Sequence, residues 1–167
     1  MSDPAFDRIV RTHGEALARV VWGYADNAAD HDDLMQDILV AIWLALPRFR
    51  AESSERTFVF RIAHNRGCTF LARARRHRDH DSLADAAPIP DPRPGPDEEL
   101  DEARRRERLV AAVRTLPDAQ RQAVLLRLEG FSISEIAALA GTPDANVSVR
   151  LSRARERLRE LLGGDDR

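Results

Sequence analysis

The chain has 167 residues, of which 43% are hydrophobic and 5% aromatic, enough for one ordinary domain or two small ones with aliphatic cores. Its net charge is −2 and its 26 basic residues are all arginine, whose planar fork suits phosphate, carboxylate or guanine. The single cysteine, Cys68, excludes an internal disulfide. No apolar run resembles a signal peptide or approaches the roughly 18 residues of a membrane span. These features predict a cytoplasmic protein without membrane insertion.

Two amphipathic helices are predicted at the start of the chain. Residues 4–26 carry apolar side chains at helical steps, and Gly23 is expected to weaken the end of that helix. A second helix is expected over residues 30–46. It is preceded by N-cap chemistry around Asn27 and stopped by Pro47.

The second helix is apolar on more sides than one buried stripe requires. The stripe that would face a core consists of Leu34, Ile38, Ala41, Ile42 and Ala45. The surplus side chains are Met35, Gln36, Leu39, Val40 and Trp43. A helix of this kind is either deeply buried or docks a partner, and the pattern alone leaves both possibilities open.

A third helix is expected from Thr57, after a polar loop over residues 48–56. Within residues 61–78 it has six arginines and no acidic residue. Aromatic and amide side chains are interleaved with them: Phe60, His64, Asn65 and Phe70. Basic groups beside groups that stack on bases are typical of a single-strand binding surface. A solvated basic face is the alternative.

Residues 81–103 have the composition of a linker. Every second residue from Pro88 to Pro96 is a proline, which favours extended backbone, and acidic residues close the segment. Such a linker would reach ~60 Å, more than one ~34 Å turn of duplex DNA. Two modules joined by it could therefore engage separate DNA segments. Its acidity could instead shield basic surfaces or simply be solvated.

Two helices are predicted directly after the linker. The first covers residues 104–116 and ends before Pro117. The second begins near Asp118 and is expected to point three apolar side chains toward the rest of this module: Val124, Leu125 and Leu128.

The last two helices are predicted to form a helix-turn-helix. Ser132 and Glu135 have capping-box spacing at the start of the first, and Gly141 suits a left-handed cap at its end. Thr142 is the expected N-cap of the second, with Pro143 in its first helical position. A short turn between a short helix and a long one lets the second project from its support.

The final helix, expected over residues 143–162, has one apolar side and a basic remainder. Its apolar side carries Val147, Leu151, Ala154, Leu158 and Leu161. Its basic side carries Arg150, Arg153, Arg155, Arg157 and Arg159. Near its start, Asn146 and Arg150 are side-chain types that bond to adenine and guanine edges in the major groove. A recognition helix is predicted, with an αα-hairpin bearing a solvated face as the alternative.

No metal or catalytic centre is predicted. Cys68, His77 and His80 lack a second cysteine pair and lie among arginines that would repel a cation. The sequence has no glycine-rich phosphate loop and no paired carboxylate with histidine. We therefore expect no cofactor, no catalytic residue and no enzymatic activity.

In order along the chain, these motifs resemble the extracytoplasmic-function (ECF) group of bacterial RNA polymerase sigma factors, which have only the second and fourth sigma regions. The likeness to the second region lies in DLMQD at residues 33–37 with Trp43, in Phe49-Arg50, and in TFVFRIAHN at 57–65. The likeness to the fourth lies in Leu116-Pro117 with Gln120-Arg121, in GFSISEIA at 130–137, and in Arg150-Leu151 with RARERL at 153–158.

The resemblance implies an all-α fold of two small helical domains. A region 2 bundle would cover residues 1–80, a flexible, acidic, proline-rich linker residues 81–103, and a region 4 helix-turn-helix residues 104–167. The implied partners are core RNA polymerase, through its β′ clamp and β flap, promoter DNA, and an anti-sigma factor.

The resemblance also implies roles for individual residues. Residues implied in core polymerase binding are Asp33, Leu34, Gln36, Asp37, Val40 and Trp43. Residues implied in opening and holding the −10 element are Arg56, Phe58, Arg61, His64, Asn65, Arg73, Arg75 and Arg76. Residues implied in reading the −35 element are Ser134, Asn146, Ser148, Val149, Arg150, Arg153 and Arg157.

Two places depart from the family pattern. Residues 145–150, ANVSVR, stand where Gly-Thr-Val-Lys-Ser-Arg is usual, so a lysine contact is lost and an amide gained, and no −35 sequence can be carried over. Phe58 stands where a tryptophan is common, which removes an indole donor. The alternative function is a free-standing helix-turn-helix regulator that binds duplex DNA without polymerase and usually dimerises.

Overall fold

Seven α-helices make up the part of the chain that the computed structural model describes, residues 3–80 and 98–163. They are α1 (Pro4–Tyr24), α2 (Ala28–Ala45), α3 (Glu55–His80), α4 (Glu98–Arg114), α5 (Asp118–Leu128), α6 (Ile133–Ala140) and α7 (Asp144–Leu162). One 3-10 turn, Leu46–Arg48, follows α2. No strand occurs within the described ranges, and the predicted all-α fold is confirmed. Most of the predicted linker, residues 81–97, lies outside the described residues.

The helices α1, α2 and α3 pack together as a first module. Asp3 caps α1 by accepting a hydrogen bond from the Ala5 N–H (2.9 Å), and Asn27 caps α2 by accepting one from the Asp30 N–H (2.9 Å). The predicted stripe of α2 faces the interior: Leu34, Ile38, Ala41 and Ile42 are buried and Ala45 is half-buried. That burial, summed over three helices, holds the module together.

The helices α4 to α7 form a second module, and its capping box is confirmed. The Ser132 hydroxyl accepts from the Glu135 N–H (3.2 Å), and the Glu135 carboxylate accepts from the Ser132 N–H (2.7 Å). The hydrogen bond that the Ser132 N–H donates to the charged carboxylate lowers the pKa of Glu135. The next element upstream, α4, begins at Glu98 rather than at the predicted residue 104.

The turn between α6 and α7 differs from the prediction by one position. Gly141 adopts the left-handed conformation (φ 61°) that ends α6, as expected. The Thr142 N–H then donates to the Ala137 carbonyl (3.1 Å), so this residue completes the end of α6 instead of capping α7. Pro143 takes the N-cap position and α7 begins at Asp144.

The two modules pack against each other over one continuous apolar core. The rings of Phe60 and Phe131 meet with centroids 5.0 Å apart, and a Cβ on Gly23 would lie 2.2 Å from Leu125 Cδ2. Gly23 therefore permits close approach of α1 to α5, which is a different role from the helix weakening predicted for it. Leu128 also differs, because its side chain is 60% exposed.

Candidate polymerase and nucleic-acid interfaces

The outer side of α2 is an exposed apolar surface. Val40, Trp43 and Leu44 are 48%, 52% and 61% exposed, although the opposite side of the same helix is fully buried. They adjoin a groove of about 380 Å³ whose lining includes Phe6, Met35 and Leu39. Of the two possibilities for the surplus apolar residues, burial is therefore excluded for this side, and an open docking surface remains.

The residues predicted to bind core polymerase divide between this surface and the core. Those with exposed side chains are Asp33, Gln36, Asp37, Val40 and Trp43. Leu34 is 3% exposed and packs in the interior, so its side chain can only support the surface from beneath. Asp37 lies 3.5 Å from Arg66 of α3 in an exposed ion pair, which contributes little to stability.

The residues predicted to bind the −10 element lie along two different stripes of α3. Arg61, Asn65, Arg73 and Arg76 are separated by four, eight and three residues, which places them on one side of the helix, and all are exposed. Phe58 lies near that stripe, half-buried, with its ring 4.5 Å from the Phe49 ring. This outer stripe is a continuous basic surface with one amide.

The second stripe of α3 faces the second module and carries Arg56, His64 and Arg75. The Arg56 guanidinium lies 3.9 Å from the centre of the Phe131 ring and donates to the Glu129 carbonyl. Arg75 forms an ion pair with Asp118. Arg56 and Arg75, two of the residues predicted to hold DNA, are therefore engaged within the chain.

His64 is the most enclosed of the predicted DNA-binding residues. It is 6% exposed, its Nε2 lies 3.6 Å from the Cys68 sulfur, and its Nδ1 has no hydrogen-bond partner. Burial, together with the positive charge of Arg150, lowers the pKa of His64. Burial likewise raises the pKa of the Cys68 thiol, so this cysteine is not an activated thiolate.

The basic side of α7 is presented to solvent by buried anchors beneath it. Val147 and Ala154 are 0% exposed, and Leu151 and Leu158 are half-buried. The predicted −35 residues with exposed side chains are Ser134, Asn146, Ser148, Val149, Arg153 and Arg157. Arg150 is half-buried.

Side-chain hydrogen bonds join α6 to α7 and order the first turn of α7. The Ser134 hydroxyl donates to the Asp144 carboxylate (2.6 Å), and the Asn146 amide donates to the Thr142 hydroxyl (3.2 Å). The Ser148 hydroxyl donates to the Asp144 carbonyl (3.1 Å). The first turn of the helix is thereby preorganised, with the Asn146 amide still open to solvent.

A second groove, which the sequence did not reveal, lies between α5 and α7. Its volume is about 460 Å³. Its apolar lining consists of Val124, Leu128, Leu151, Leu158 and Leu162, and its arginines are Arg127, Arg155 and Arg159. Leu128 faces this groove rather than the core. The sequence offered one signal for the exposure of Leu128, which is that this residue follows Arg127 at the polar end of α5.

Two kinds of feature are absent from the described ranges, residues 3–80 and 98–163. Nowhere in them do histidine, cysteine or acidic side chains form a group that could hold a metal ion. None of their helices has both the length and the apolar character to cross a membrane.

Comparison with known proteins gives the family. The family model for Sigma-70 region 2 matches residues 9–77, and that for Sigma-70, region 4 matches residues 106–158. RNA polymerase sigma factor CnrH of Cupriavidus metallidurans is 32% identical, over 96% of this chain and 88% of its own. The ECF RNA polymerase sigma-E factor of Escherichia coli is 30% identical, over 91% of this chain and 83% of its own.

Two solved structures share the fold. The structure of CnrH in complex with the cytosolic domain of CnrY has a TM-score of 0.68 at 26% identity and covers 97% of this chain and 90% of its own. The sigma factor RpoE in complex with the anti-sigma factor NepR, from Bartonella quintana, has a TM-score of 0.72 at 26% identity, with 98% and 99% covered.

The fold and surfaces together define a transcription initiation factor built from sigma regions 2 and 4. The chain belongs to the ECF RNA polymerase sigma factors. As an alternative sigma factor, it binds core RNA polymerase and directs initiation at specific promoters.

Proposed function

We propose that three surfaces divide the work of this sigma factor: the outer side of α2 docks on core polymerase, α3 captures the −10 strand, and α7 reads the −35 element. The assignment corresponds to units over residues 1–80 and 104–167, joined by residues 81–103. The observation that carries it is the exposure of Trp43 and its apolar neighbours on a helix buried on its other side.

Docking on the polymerase β′ clamp would use the apolar centre of the α2 surface. Val40 and Trp43 supply the area to be buried, and aromatic anchors of this kind dominate interface energetics. Asp33, Gln36 and Asp37 supply a polar rim that sets orientation. Leu34 holds the helix in place from the interior.

Capture of the −10 strand would use the outer stripe of α3 together with Arg56, Phe58, His64 and Arg75. Stacking worth about 1–3 kcal/mol per base can offset local unpairing of a few kcal/mol, so melting needs no nucleotide hydrolysis by this chain. Bond-forming chemistry belongs to the polymerase, and the chain itself is not an enzyme and needs no cofactor.

Reading of the −35 element would place α7 in the major groove. Asn146 and Arg153 would face base edges, while Arg150 and Arg157 would neutralise phosphates. Val149, exposed among polar residues, would contact a thymine methyl group. Ser134, bonded to Asp144, fixes the angle of α7 and so the register of these contacts.

The groove between α5 and α7 would receive an apolar segment of the polymerase β flap, with its arginines pairing acidic residues on that segment. An anti-sigma factor is the other proposed partner. It is suggested by the two similar structures, whose titles describe CnrH with the cytosolic domain of CnrY and RpoE with the anti-sigma factor NepR. The polymerase partner implies a cytoplasmic protein.

The test compares binding to core polymerase with binding to DNA in one full-length double variant, Asp33→Ala with Gln36→Ala. We expect at least a tenfold loss of affinity for core polymerase, of the order of 1.4 kcal/mol, with unchanged affinity for duplex DNA. A matched control, Glu102→Ala with Glu107→Ala, changes two exposed residues of α4. Full affinity of the α2 variant for polymerase would refute the docking assignment and favour a free-standing regulator.

A further inference from the structure

Three exposed side chains form one stripe at the start of α7. Asn146, Val149 and Arg153 are separated by three and four residues, which places them on one side of the helix. From Asn146 to Arg153 the helix axis rises about 10 Å at ~1.5 Å per residue, which is the length of about three base pairs at ~3.4 Å each. The stripe is therefore matched to a short run of neighbouring base pairs, with one side chain for each.

The acidic residues of α7 mark where that stripe ends. Glu156 and Glu160 are exposed and follow Arg153 at steps of three and four residues on the same side of the helix. DNA carries one negative charge per ~1.7 Å of its axis, so carboxylates close to its backbone are repelled. Base contacts are therefore confined to the first turns of α7, before Glu156.

The amide of Asn146 is oriented for adenine. It donates one N–H to the Thr142 hydroxyl, 3.2 Å away, and its side chain is exposed. The second N–H and the carbonyl oxygen are left for one base edge. Adenine offers an acceptor, N7, beside a donor, N6, on its major-groove edge, and so pairs with both groups of the amide. Thr142 thereby acts as a positioning residue for the readout.

Val149 brings an apolar group into an otherwise polar surface. Its side chain is 48% exposed and can neither donate nor accept a hydrogen bond. The thymine methyl group is the apolar feature of the major groove, and it is the group that this side chain can select. Arg153, one turn further along, is exposed and has the planar fork that bonds to guanine O6 and N7.

The positions that depart from the usual family sequence are the ones that give this chain its own preference. Ser148 stands where a lysine is usual. It lies two residues from Asn146 and does not share its stripe, and its hydroxyl donates to the Asp144 carbonyl (3.1 Å). A lysine is a point charge that suits any phosphate. Its loss increases the share of binding energy that depends on base sequence.

We propose that α7 reads a core of neighbouring base pairs in the order of its residues: an A·T pair through Asn146, an A·T pair through the thymine methyl group at Val149, and a G·C pair through Arg153. The inference rests on the proposed function of α7 as the −35 reader, and it names the base pairs that this helix selects.

The first experiment is a selection by the full chain bound to core RNA polymerase, from a pool of linear duplexes with a randomised segment long enough for both promoter elements. It compares the wild type with Asn146→Asp and with a matched control, Ser152→Ala, an exposed residue of α7 outside the stripe. Asn146→Asp keeps the shape of the side chain but replaces the amide by a carboxylate, which accepts from cytosine N4.

We expect the wild type and the control to enrich the same upstream element, with the base pairs in the proposed order. Asn146→Asp should exchange the A·T pair assigned to residue 146 for a C·G pair and leave the other two pairs unchanged. Because only the relative enrichment of base pairs is scored, a general loss of affinity caused by the added negative charge does not affect the result.

Small chemical changes in the selected duplex then assign each base pair to its side chain. Uracil in place of the thymine removes the methyl group and should weaken wild-type binding roughly fourfold, the effect of one buried methyl group, but should not affect Val149→Ala. 7-Deazaadenine and 7-deazaguanine lack N7 and should each weaken wild-type binding about tenfold. The first should not affect Asn146→Ala, and the second should not affect Arg153→Ala.

An enriched upstream element without these pairs in this order would overturn the proposal and leave the −35 role of α7 in place. Equal weakening of every duplex by the α7 variants would also overturn it, because their side chains would then contact phosphate alone. If the chain bound core polymerase but enriched no upstream element, the proposed −35 role would fail, and this inference would fail with it.

Discussion

The exposed sides of α2 and α7 show two different ways to make a binding surface in one small chain. On α2 the surface is apolar, with Trp43 52% exposed. On α7 it is cationic, with Arg153 and Arg157 in solvent over a buried seam. The net charge of −2 averages over this difference. Apolar burial is nearly independent of salt, whereas phosphate binding weakens steeply with it, so the two docking steps are separable by ionic strength.

The largest expected effect is on the apolar surface. Trp43→Ala should cost about 2–4 kcal/mol in affinity for core polymerase, the range of an interface hot spot. The loss should be similar at low and high salt, as measured by equilibrium binding of labelled full-length chain. Leu161→Ala, a residue of α7 that is 38% exposed, is the control and should have little effect. A loss of affinity that vanished at high salt would contradict the assignment of an apolar docking surface to α2.

The second-largest effect is expected on the cationic surface of α7. Arg153→Ala should weaken duplex binding by about 1–3 kcal/mol, because Arg153 is proposed to face base edges, and Arg157→Ala should reduce the salt slope by about 0.9, because Arg157 is proposed to contact phosphate. Titration of a promoter duplex at several salt concentrations distinguishes the two. Arg11→Ala on α1 should leave the slope unchanged. An unchanged slope and affinity for both α7 variants would remove this helix from the DNA interface.

A smaller effect is expected at the Gly141 cap, which sets the direction of α7 relative to α6. Gly141 has a φ of 61° with no atom within 4 Å of the position a Cβ would take, so Gly141→Ala meets backbone strain without a clash. We expect a loss of about 1 kcal/mol in the free energy of unfolding, measured by urea denaturation. Gly14→Ala, within α1, should be neutral or slightly stabilising. Equal stability of the two variants would contradict the role of the left-handed cap.

The smallest effect lies where the two modules meet. Because burial beside Arg150 lowers the pKa of His64 below its ordinary 6.5, the unfolded chain binds the proton more readily. The contribution of neutral His64 is therefore fully present above about pH 6.5 and is lost as the pH falls below it. The urea midpoint should decrease on acidification, and His64→Gln should reduce that decrease. An identical pH dependence in both chains would contradict burial of a neutral ring.

The local parts of this fold could be predicted from sequence because their causes are local. The Ser132–Glu135 capping box and the Gly141 cap depend on neighbouring residues alone, and both are confirmed. The buried stripe of α2 follows from helical periodicity and is also confirmed. The membership of the ECF family, expected from ordered motifs, is confirmed by the comparisons.

The parts that escaped prediction have long-range causes. Gly23 makes room for Leu125, a residue of the other module. Arg56 and Arg75 could be identified as basic, but their partners lie on distant elements. Periodicity assigned Leu128 to a packed face, yet the space beside it is an open groove. The roles proposed for individual site residues remain predictions for the experiments above.

The two tryptophans occupy unlike surroundings, and this gives the molecule built-in optical reporters. Trp22 stacks on His31 at 4.2 Å, and its carbonyl accepts from Arg114 of the second module. The Trp43 side chain is exposed to solvent on α2. Its emission should shift to shorter wavelength when polymerase covers it, whereas the emission of Trp22 should change when Arg114 moves away. Variants that retain only one of the two tryptophans would therefore report polymerase docking and the movement of Arg114 separately, without an added fluorophore.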